Sequence, residues 1–359
     1  RELKGLGRYY PRHSVRDGID IWRPRGLWIP KLMSANGGVQ LEKNYAAAAL
    51  RIVRTFEPEW QPDLVVGDWL VPFGYAAAQI AARFKTPYVL RARGHDVLFM
   101  KAAARTATLS QHYRALLANA AAILCQGEGL YAELAAAGWV ANERLQAVSN
   151  GIDTDVFKPV SEDERRTLRT QLGIPQDTQL WLFVGTWTEA KGTAEMAQVI
   201  PDLLRSHPHC SFAAVGPIKN ADTQARMKAA SDSVRFVGMQ DATAVARWMQ
   251  AADVFLLPTY REGLPNALLE AMSSELVCMA SPVNGIPYVL QHEVNGLHIE
   301  PHSPESLRTA LERCALSLND LRPLAKAARQ TIFERGYDMD TALRYVHEAF
   351  LHHAARDRV

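Results

Sequence analysis

With 359 residues, 48% of them hydrophobic, the chain can form about two globular domains that each bury a core. It has no run of ~18 or more apolar residues, which excludes a membrane-spanning helix. Its net charge of +2 and its lack of basic-aromatic interleaving argue against a nucleic-acid binder, and its four scattered cysteines exclude a CxxC metal or redox motif.

The chain opens at Arg1, without Met or a leader, in a polar and basic stretch, so a fragment or processed form is expected. Eight of the first 31 residues are Lys or Arg. Residues 1–150 hold 19 Lys and Arg against 12 Asp and Glu, and the remainder 21 against 26. This asymmetry fits two solvated surfaces of unequal charge as well as it fits a basic N-terminal half that meets an anionic partner. Residues 1–45 read as irregular, with a strand over Asp17-Gly18-Ile19-Asp20-Ile21. A regular rhythm starts near Pro62. Strands are predicted at 63–67, 86–91, 121–126 and 145–148, with helices at 74–84, 111–118 and 129–137 between them.

Asn150-Gly151 makes a turn, residues 153–159 read as a linker, and the rhythm restarts. Helices are predicted at 161–172, 193–207, 220–231, 242–251, 265–274 and 304–316, and strands at 180–184, 211–215, 234–237, 254–257 and 277–280. A last helix, 338–355, carries an apolar stripe of Tyr337, Leu343, Val346, Phe350 and Leu351 at core-packing spacing. Alternating strands and helices predict parallel sheets wrapped by helices. The expected organisation is a domain over 1–155, a second over 156–336, and a C-terminal helix over 337–359 that packs back across the boundary. A cleft is expected between the domains, with ligand beyond the carboxyl ends of the strands. Cys125, Cys210, Cys278 and Cys314 sit in apolar or helical contexts, which predicts buried free thiols and a reducing cytoplasm.

The most informative stretch runs from Leu256 to Met272. A buried strand ends at Leu257, a short loop follows, and a helix starts near Pro265. Such a terminus aims unpaired N–H groups at a polar or anionic ligand. Glu262 lies in the loop and Glu270 in the helix, two carboxylates able to accept from vicinal hydroxyls, as on a sugar and a ribose. Helix capping and macrodipole pairing are the alternative use of such glutamates.

These residues resemble the family-4 retaining glycosyltransferases, of the α/β GT-B fold with two Rossmann-like domains facing a cleft. Glu262 and Glu270 match the family's Glu–seven residues–Glu motif within Glu-Gly-Leu-Pro-Asn. Phe183-Val184-Gly185 with Lys191-Gly192 is similar to its phosphate loop. Asn150-Gly151-Ile152-Asp153, Ser281 to Pro287 and Glu293 to Leu297 match neighbouring segments, and the likeness covers residues 62–311. The resemblance implies that Glu262 contacts donor sugar hydroxyls, Glu270 holds the ribose, and Lys191 neutralises the departing diphosphate. Gly263, Leu264, Pro265 and Asn266 would assist through backbone N–H groups, Gly185 and Thr186 would line the phosphates, and Gly238 the base. Thr186 stands where the family usually has Arg, so it offers a hydroxyl but no charge. In the N-terminal domain, Arg93-Gly94-His95-Asp96 is similar to a family motif that makes Asp96 a catalytic candidate; an Arg93–Asp96 salt bridge is the alternative. Asp68-Trp69 is a further acceptor candidate. The family's opening β-α-β unit has no counterpart before Pro62.

The implied reaction moves a hexosyl group from a UDP- or GDP-sugar to an acceptor hydroxyl with retention, in cell-surface polysaccharide or glycolipid synthesis. It needs no metal and no tightly bound cofactor. The implied partners are the nucleotide sugar, a carbohydrate or lipid-linked acceptor, and an anionic membrane surface at the cytoplasmic face, met by the basic N-terminal half. The alternatives are a catalytically impaired sugar-nucleotide-binding protein and a GT-B sugar-nucleotide epimerase.

Overall fold

A computed structural model of the chain describes residues 13–23, 39–56, 60–103 and 106–354. It divides into two units, the first of residues 1–126, 130–147 and 347–359 and the second of 127–129 and 148–346.

The first unit opens on a reversal of the chain. The strand expected at 17–21 is a hairpin, with β1 (His13–Arg16) antiparallel to β2 (Ile19–Trp22). Asp17 and Gly18 form its two-residue turn, with φ of 53° and 78°. An Asp-Gly pair favours that mirror-image turn, whose twist matches the strands. Alternation read straight through the pair gives one strand where the chain folds back. Residues 39–45, expected to be irregular, begin the helix Val39–Val53. A hairpin and a helix thus precede β3 among the described residues, rather than a full β-α-β unit. β3 (Val65–Asp68), β4 (Tyr88–Ala92) and β5 (Ala122–Gln126) pair in parallel, and β6 (Leu145–Val148) lies beside β5. The helices Phe73–Phe84 and Ala107–Ala118 cover this sheet, around a core that includes Leu90, Tyr113, Leu117 and Ile123.

The second unit holds six parallel strands: β7 (Gln179–Val184), β8 (Cys210–Val215), β9 (Val234–Gly238), β10 (Val254–Leu257), β11 (Val277–Ala280) and β12 (Leu297–His298). Their order across the sheet is β12-β11-β10-β7-β8-β9. Helices cover both faces of such a sheet, so its central strands are apolar throughout. Every residue of β10 and β11 is buried. The helix Glu162–Leu172 starts at a capping box, in which Ser161 and Glu164 satisfy each other's backbone N–H. The helix expected over 304–316 breaks at Ser317, whose φ and ψ are non-helical, and a second helical stretch, not expected from the sequence, carries the segment Pro304–Glu334 to its end. Of the expected apolar stripe, Tyr337 is buried and Val346 and Phe350 are half-buried, while Leu343 and Leu351 are both 56% exposed; Ala342 and His353 of the helix Met339–Ala354 are buried. Helical spacing identifies a face, but the neighbouring elements decide which face packs.

One polar cluster braces the second unit. Asp253, 4% exposed, accepts from Arg165 and Arg169 at 2.7 Å, from Arg322 at 2.9 Å and from the Leu180 N–H at 2.9 Å. The arginines come from the helices Glu162–Leu172 and Pro304–Glu334, so one carboxylate ties both to the sheet. Burial works to raise its pKa, but Arg165, Arg169 and the hydrogen bonds outweigh it and hold the carboxyl below its ordinary value. The contribution to stability is therefore full above pH ~4 and is lost as pH falls through the depressed folded value. Asp253→Ala leaves three guanidinium groups around an emptied centre. It should cost about 3–5 kcal/mol, read as a lower urea midpoint at neutral pH, with the gap to wild type closing in acid.

Candidate functional site

β7 and β10 are neighbours at the centre of the second sheet, with Val254 opposite Trp181 and Phe255 opposite Leu182. From β7 the chain moves outward to β8, and from β10 it moves the other way to β11. The loops at their carboxyl ends diverge and leave a crevice, where sheets of this order take their ligands. The first loop carries Gly185, Thr186 and, at the end of the short turn Glu189–Lys191, Lys191. The second carries Glu262 and leads into the helix Asn266–Ser273, which bears Glu270.

The fold brings two of the sequence-predicted residues into contact. The Lys191 ammonium forms an ion pair with the Glu262 carboxylate, and both side chains are about four-fifths buried. Burial pushes the Lys191 pKa down to about 8, while the adjacent carboxylate favours the charged form. Main-chain contacts hold the loops together. Ala190 C=O accepts from the Tyr260 N–H at 2.9 Å and from the Thr259 hydroxyl at 3.1 Å. Gly192 has φ of 71°, and a Cβ there would lie 2.0 Å from the Pro258 carbonyl oxygen. On the other side, a Cβ on Gly285 would lie 2.0 Å from the Gly263 carbonyl oxygen. The Glu262 loop is therefore wedged between two glycine backbones.

Glu270 makes no hydrogen bond or ion pair through its side chain among the described residues, and burial pushes its pKa up to about 7. Leu264 and Pro265 are buried, so only their backbones are open to a ligand role, while Asn266 is exposed and accepts from Asn150 at 3.3 Å. Gly185, Gly216 and Gly238 sit at the carboxyl ends of β7, β8 and β9, with the Gly216 N–H donating to Gly238 C=O at 2.8 Å. They form a shelf without side chains beside the Lys191 loop. Gly216 is not among the sequence-predicted residues; its signal is a Gly-Pro pair directly after an apolar strand. Among the described residues, no three His, Cys, Asp or Glu are grouped as a metal ion would require.

In the first unit Asp96, the expected catalytic candidate, sits at a buried turn. The residue is 2% exposed, and its carboxylate accepts from the backbone N–H groups of Leu70, Arg93, Gly94 and Val97 at 2.8–3.0 Å. Burial pushes the carboxyl above its ordinary value, and these four donors offset only part of that rise. Both oxygens accept at the turn into the helix His95–Ala103, so Asp96 braces that loop. Arg93 pairs not with Asp96 but with Asp68, through bonds of 2.9 and 3.0 Å, and His95 is exposed. Asp68 and the half-exposed Trp69, which has φ of 76°, lie at the end of β3.

The wedge makes a stability prediction. Gly192→Ala and Gly285→Ala each drive a methyl into a carbonyl of the Glu262 loop, and each should cost about 1–3 kcal/mol in urea denaturation. Gly138→Ala, where nothing lies within 4 Å but φ is 61°, should cost only about 1 kcal/mol.

Two family models match the chain: "Glycosyl transferases group 1" over residues 178–316 and "Glycosyl transferase 4-like domain" over residues 6–151. The putative teichuronic acid biosynthesis glycosyltransferase TuaC of Bacillus subtilis (strain 168) is 26% identical over 303 residues, which is 84% of this chain and 73% of TuaC. Six further curated relatives are matched over 40–50% of their own length, and the amylovoran biosynthesis glycosyltransferase AmsK of Erwinia amylovora over 69% of its own. Among solved structures, a sucrose-phosphate synthase from Thermosynechococcus elongatus has a TM-score of 0.76 at 20% identity, covering 97% of this chain and 87% of that one. HepE of Anabaena, in complex with UDP and glucose, has a TM-score of 0.71 at 18% identity, covering 90% and 84%. These two share the fold. With glycosyltransferase models matched to both sheets, and the paired Lys191 and Glu262 at the crevice of the second, the chain belongs to the GT-B glycosyltransferases of the group 1 and family-4 type.

Proposed function

We propose that the chain is a retaining hexosyltransferase that takes its sugar from a UDP- or GDP-sugar bound at the crevice between β7 and β10. The observation that carries this reading is the Lys191–Glu262 pair, held where a doubly wound sheet receives a nucleotide. A nucleoside diphosphate gains negative charge as it leaves. The Lys191 ammonium, four-fifths buried, opposes that charge in a medium of low dielectric. Glu262 accepts from the sugar hydroxyls and fixes the ring. Glu270, with no competing partner among the described residues, accepts from the ribose diol. The glycine shelf of Gly185, Gly216 and Gly238 lets phosphates and base approach the backbone. The acceptor hydroxyl attacks on the face that the diphosphate leaves, and the departing phosphate takes its proton.

The polysaccharide named in TuaC supports an acceptor in cell-surface polysaccharide or glycolipid synthesis. A lipid-linked acceptor fits the basic N-terminal half, read as a contact with an anionic membrane surface at the cytoplasmic face. The hairpin presents Val15, Ile19 and Arg16 to solvent. Thr186, in place of the usual Arg, favours a second reading in which the chain binds a sugar nucleotide without turnover.

Nucleotide release from UDP-glucose, UDP-galactose, UDP-N-acetylglucosamine and GDP-mannose separates these readings. One donor should be turned over, and Lys191→Ala and Glu262→Ala should each lower its kcat by about 10²–10³-fold. Variants that match wild type would end the assignment, and binding of UDP or GDP without turnover of any donor would select the second reading. The ionisations set a pH dependence. As pH falls through about 7, Glu270 gains a proton and loses acceptor capacity; as pH rises through about 8, Lys191 loses its charge. Calorimetry should find the tightest binding of the released nucleoside diphosphate between those values, and Glu270→Gln should flatten the acid limb only. Vesicles of anionic lipid should retain the chain at low salt and release it at high salt, and neutral vesicles should not retain it.

A further inference from the structure

Two residues before Glu262, Tyr260 makes a contact that neither the motif nor the resemblance assigns. Its phenol donates to the Glu195 carboxylate and lies 2.7 Å from each oxygen. Glu195 is 8% exposed and sits in the first turn of the helix Thr193–Ser206, whose N-terminus favours a negative charge. That helix begins directly after Lys191-Gly192. The Tyr260 ring stacks on the His302 imidazole, with centroids 3.6 Å apart and planes at 28°. Its backbone N–H is the one bound to Ala190. Burial, and then the Glu195 carboxylate, push the phenol above its ordinary pKa, so it remains a hydrogen-bond donor throughout the neutral range.

A carboxylate this buried normally faces a cation. Glu195 has no Lys, Arg or His within ion-pair distance among the described residues, and Tyr260 is the side chain that satisfies it. Its effect is to tie the loop that carries Glu262 to the helix that starts beside Lys191. From this geometry we infer that Tyr260 and Glu195 are positioning residues of the donor site: their hydrogen bond sets the register of the Glu262 loop, and through it the approach of Glu262 to Lys191. The inference rests on the donor-site reading above. If the diphosphate and sugar are met by Lys191 and Glu262, a loop displaced by about 1 Å costs up to ~10²-fold in rate. Binding of the base at the glycine shelf and of the ribose at Glu270, on the helix Asn266–Ser273, stays as it was.

Kinetics with the donor that wild type turns over fastest in the four-sugar panel test this inference. Tyr260→Phe keeps the ring on His302 and removes only the hydroxyl, Glu195→Ala removes the acceptor, and Glu195→Gln keeps one acceptor oxygen. Tyr260→Phe and Glu195→Ala should each lower kcat by about tenfold or more, Glu195→Gln should stay within about threefold of wild type, and the double variant should be no slower than the slower single one. The Kd of the matching nucleoside diphosphate should stay within about twofold throughout. Nucleoside diphosphate affinity that falls as far as kcat, or Glu195→Gln as slow as Glu195→Ala, overturns the inference; should Tyr260→Phe fold poorly, the two Glu195 variants carry the comparison. Glu262→Gln in the same assay separates the two levels. If Glu262→Gln is slow while Tyr260→Phe matches wild type, the positioning role alone falls. If Glu262→Gln also matches wild type, the donor-site reading falls and takes the positioning role with it.

Discussion

The pairing of β7 with β10 is the constraint on which the site depends. These strands are separated in sequence by β8, β9 and their helices, yet they hydrogen-bond as neighbours in the sheet. Because the chain leaves them in opposite directions, their loops open a crevice, and the same backbone pairing that creates the crevice brings Lys191 within reach of Glu262. A main-chain bond from Tyr260 and a hydroxyl bond from Thr259 to the Ala190 carbonyl, and glycines at 192 and 285, then bring the loops to contact distance. A side chain at either glycine would push the carboxylate loop off its support. The two ionisable groups thus owe their meeting to sheet topology first and to backbone packing second.

The electrostatics follow from the same packing. Lys191 and Glu262 are four-fifths buried, which makes each charge costly alone and favourable beside the other. Glu270 lacks that compensation, and its pKa is pushed up to about 7. A carboxyl at that value is poised to respond to a bound diol, which stabilises the ionised form by hydrogen bonding. The contrast with Asp253 is informative. That carboxylate is buried more deeply still but is surrounded by three arginines, so it is ionised and structural. Asp96 is a third case, satisfied by backbone N–H groups alone.

Much of this was legible in the residues, and the gaps have physical causes. Strands buried on both faces are continuous apolar runs, so β10 and β11 can be placed to the residue. The Glu262–Glu270 spacing and Lys191-Gly192 mark the donor loops because a glycine and a charge at fixed offsets have a backbone reason to be there. Alternation runs unbroken through Asp17-Gly18 and so hides the hairpin, although that pair is a turn signal in its own right. The apolar stripe of the last helix is only partly buried, with Leu343 and Leu351 exposed, because spacing carries no information about neighbours. Asp96 has the right residue type in the right motif, and the four N–H groups bound to its carboxylate are brought together only by the folded turn. The Tyr260–Glu195 bond and the Asp253 cluster join segments distant in sequence, and no local pattern announces them.

The central claim is that Lys191 and Glu262 act on the donor as one unit, and a double-mutant cycle on kcat/KM addresses it directly. Wild type, Lys191→Ala, Glu262→Ala and the double variant are compared with the donor that wild type turns over. The account predicts strong non-additivity, with the double variant within about threefold of the slower single variant. Losses that multiply, so that the double variant falls by the product of the two single effects, would contradict it.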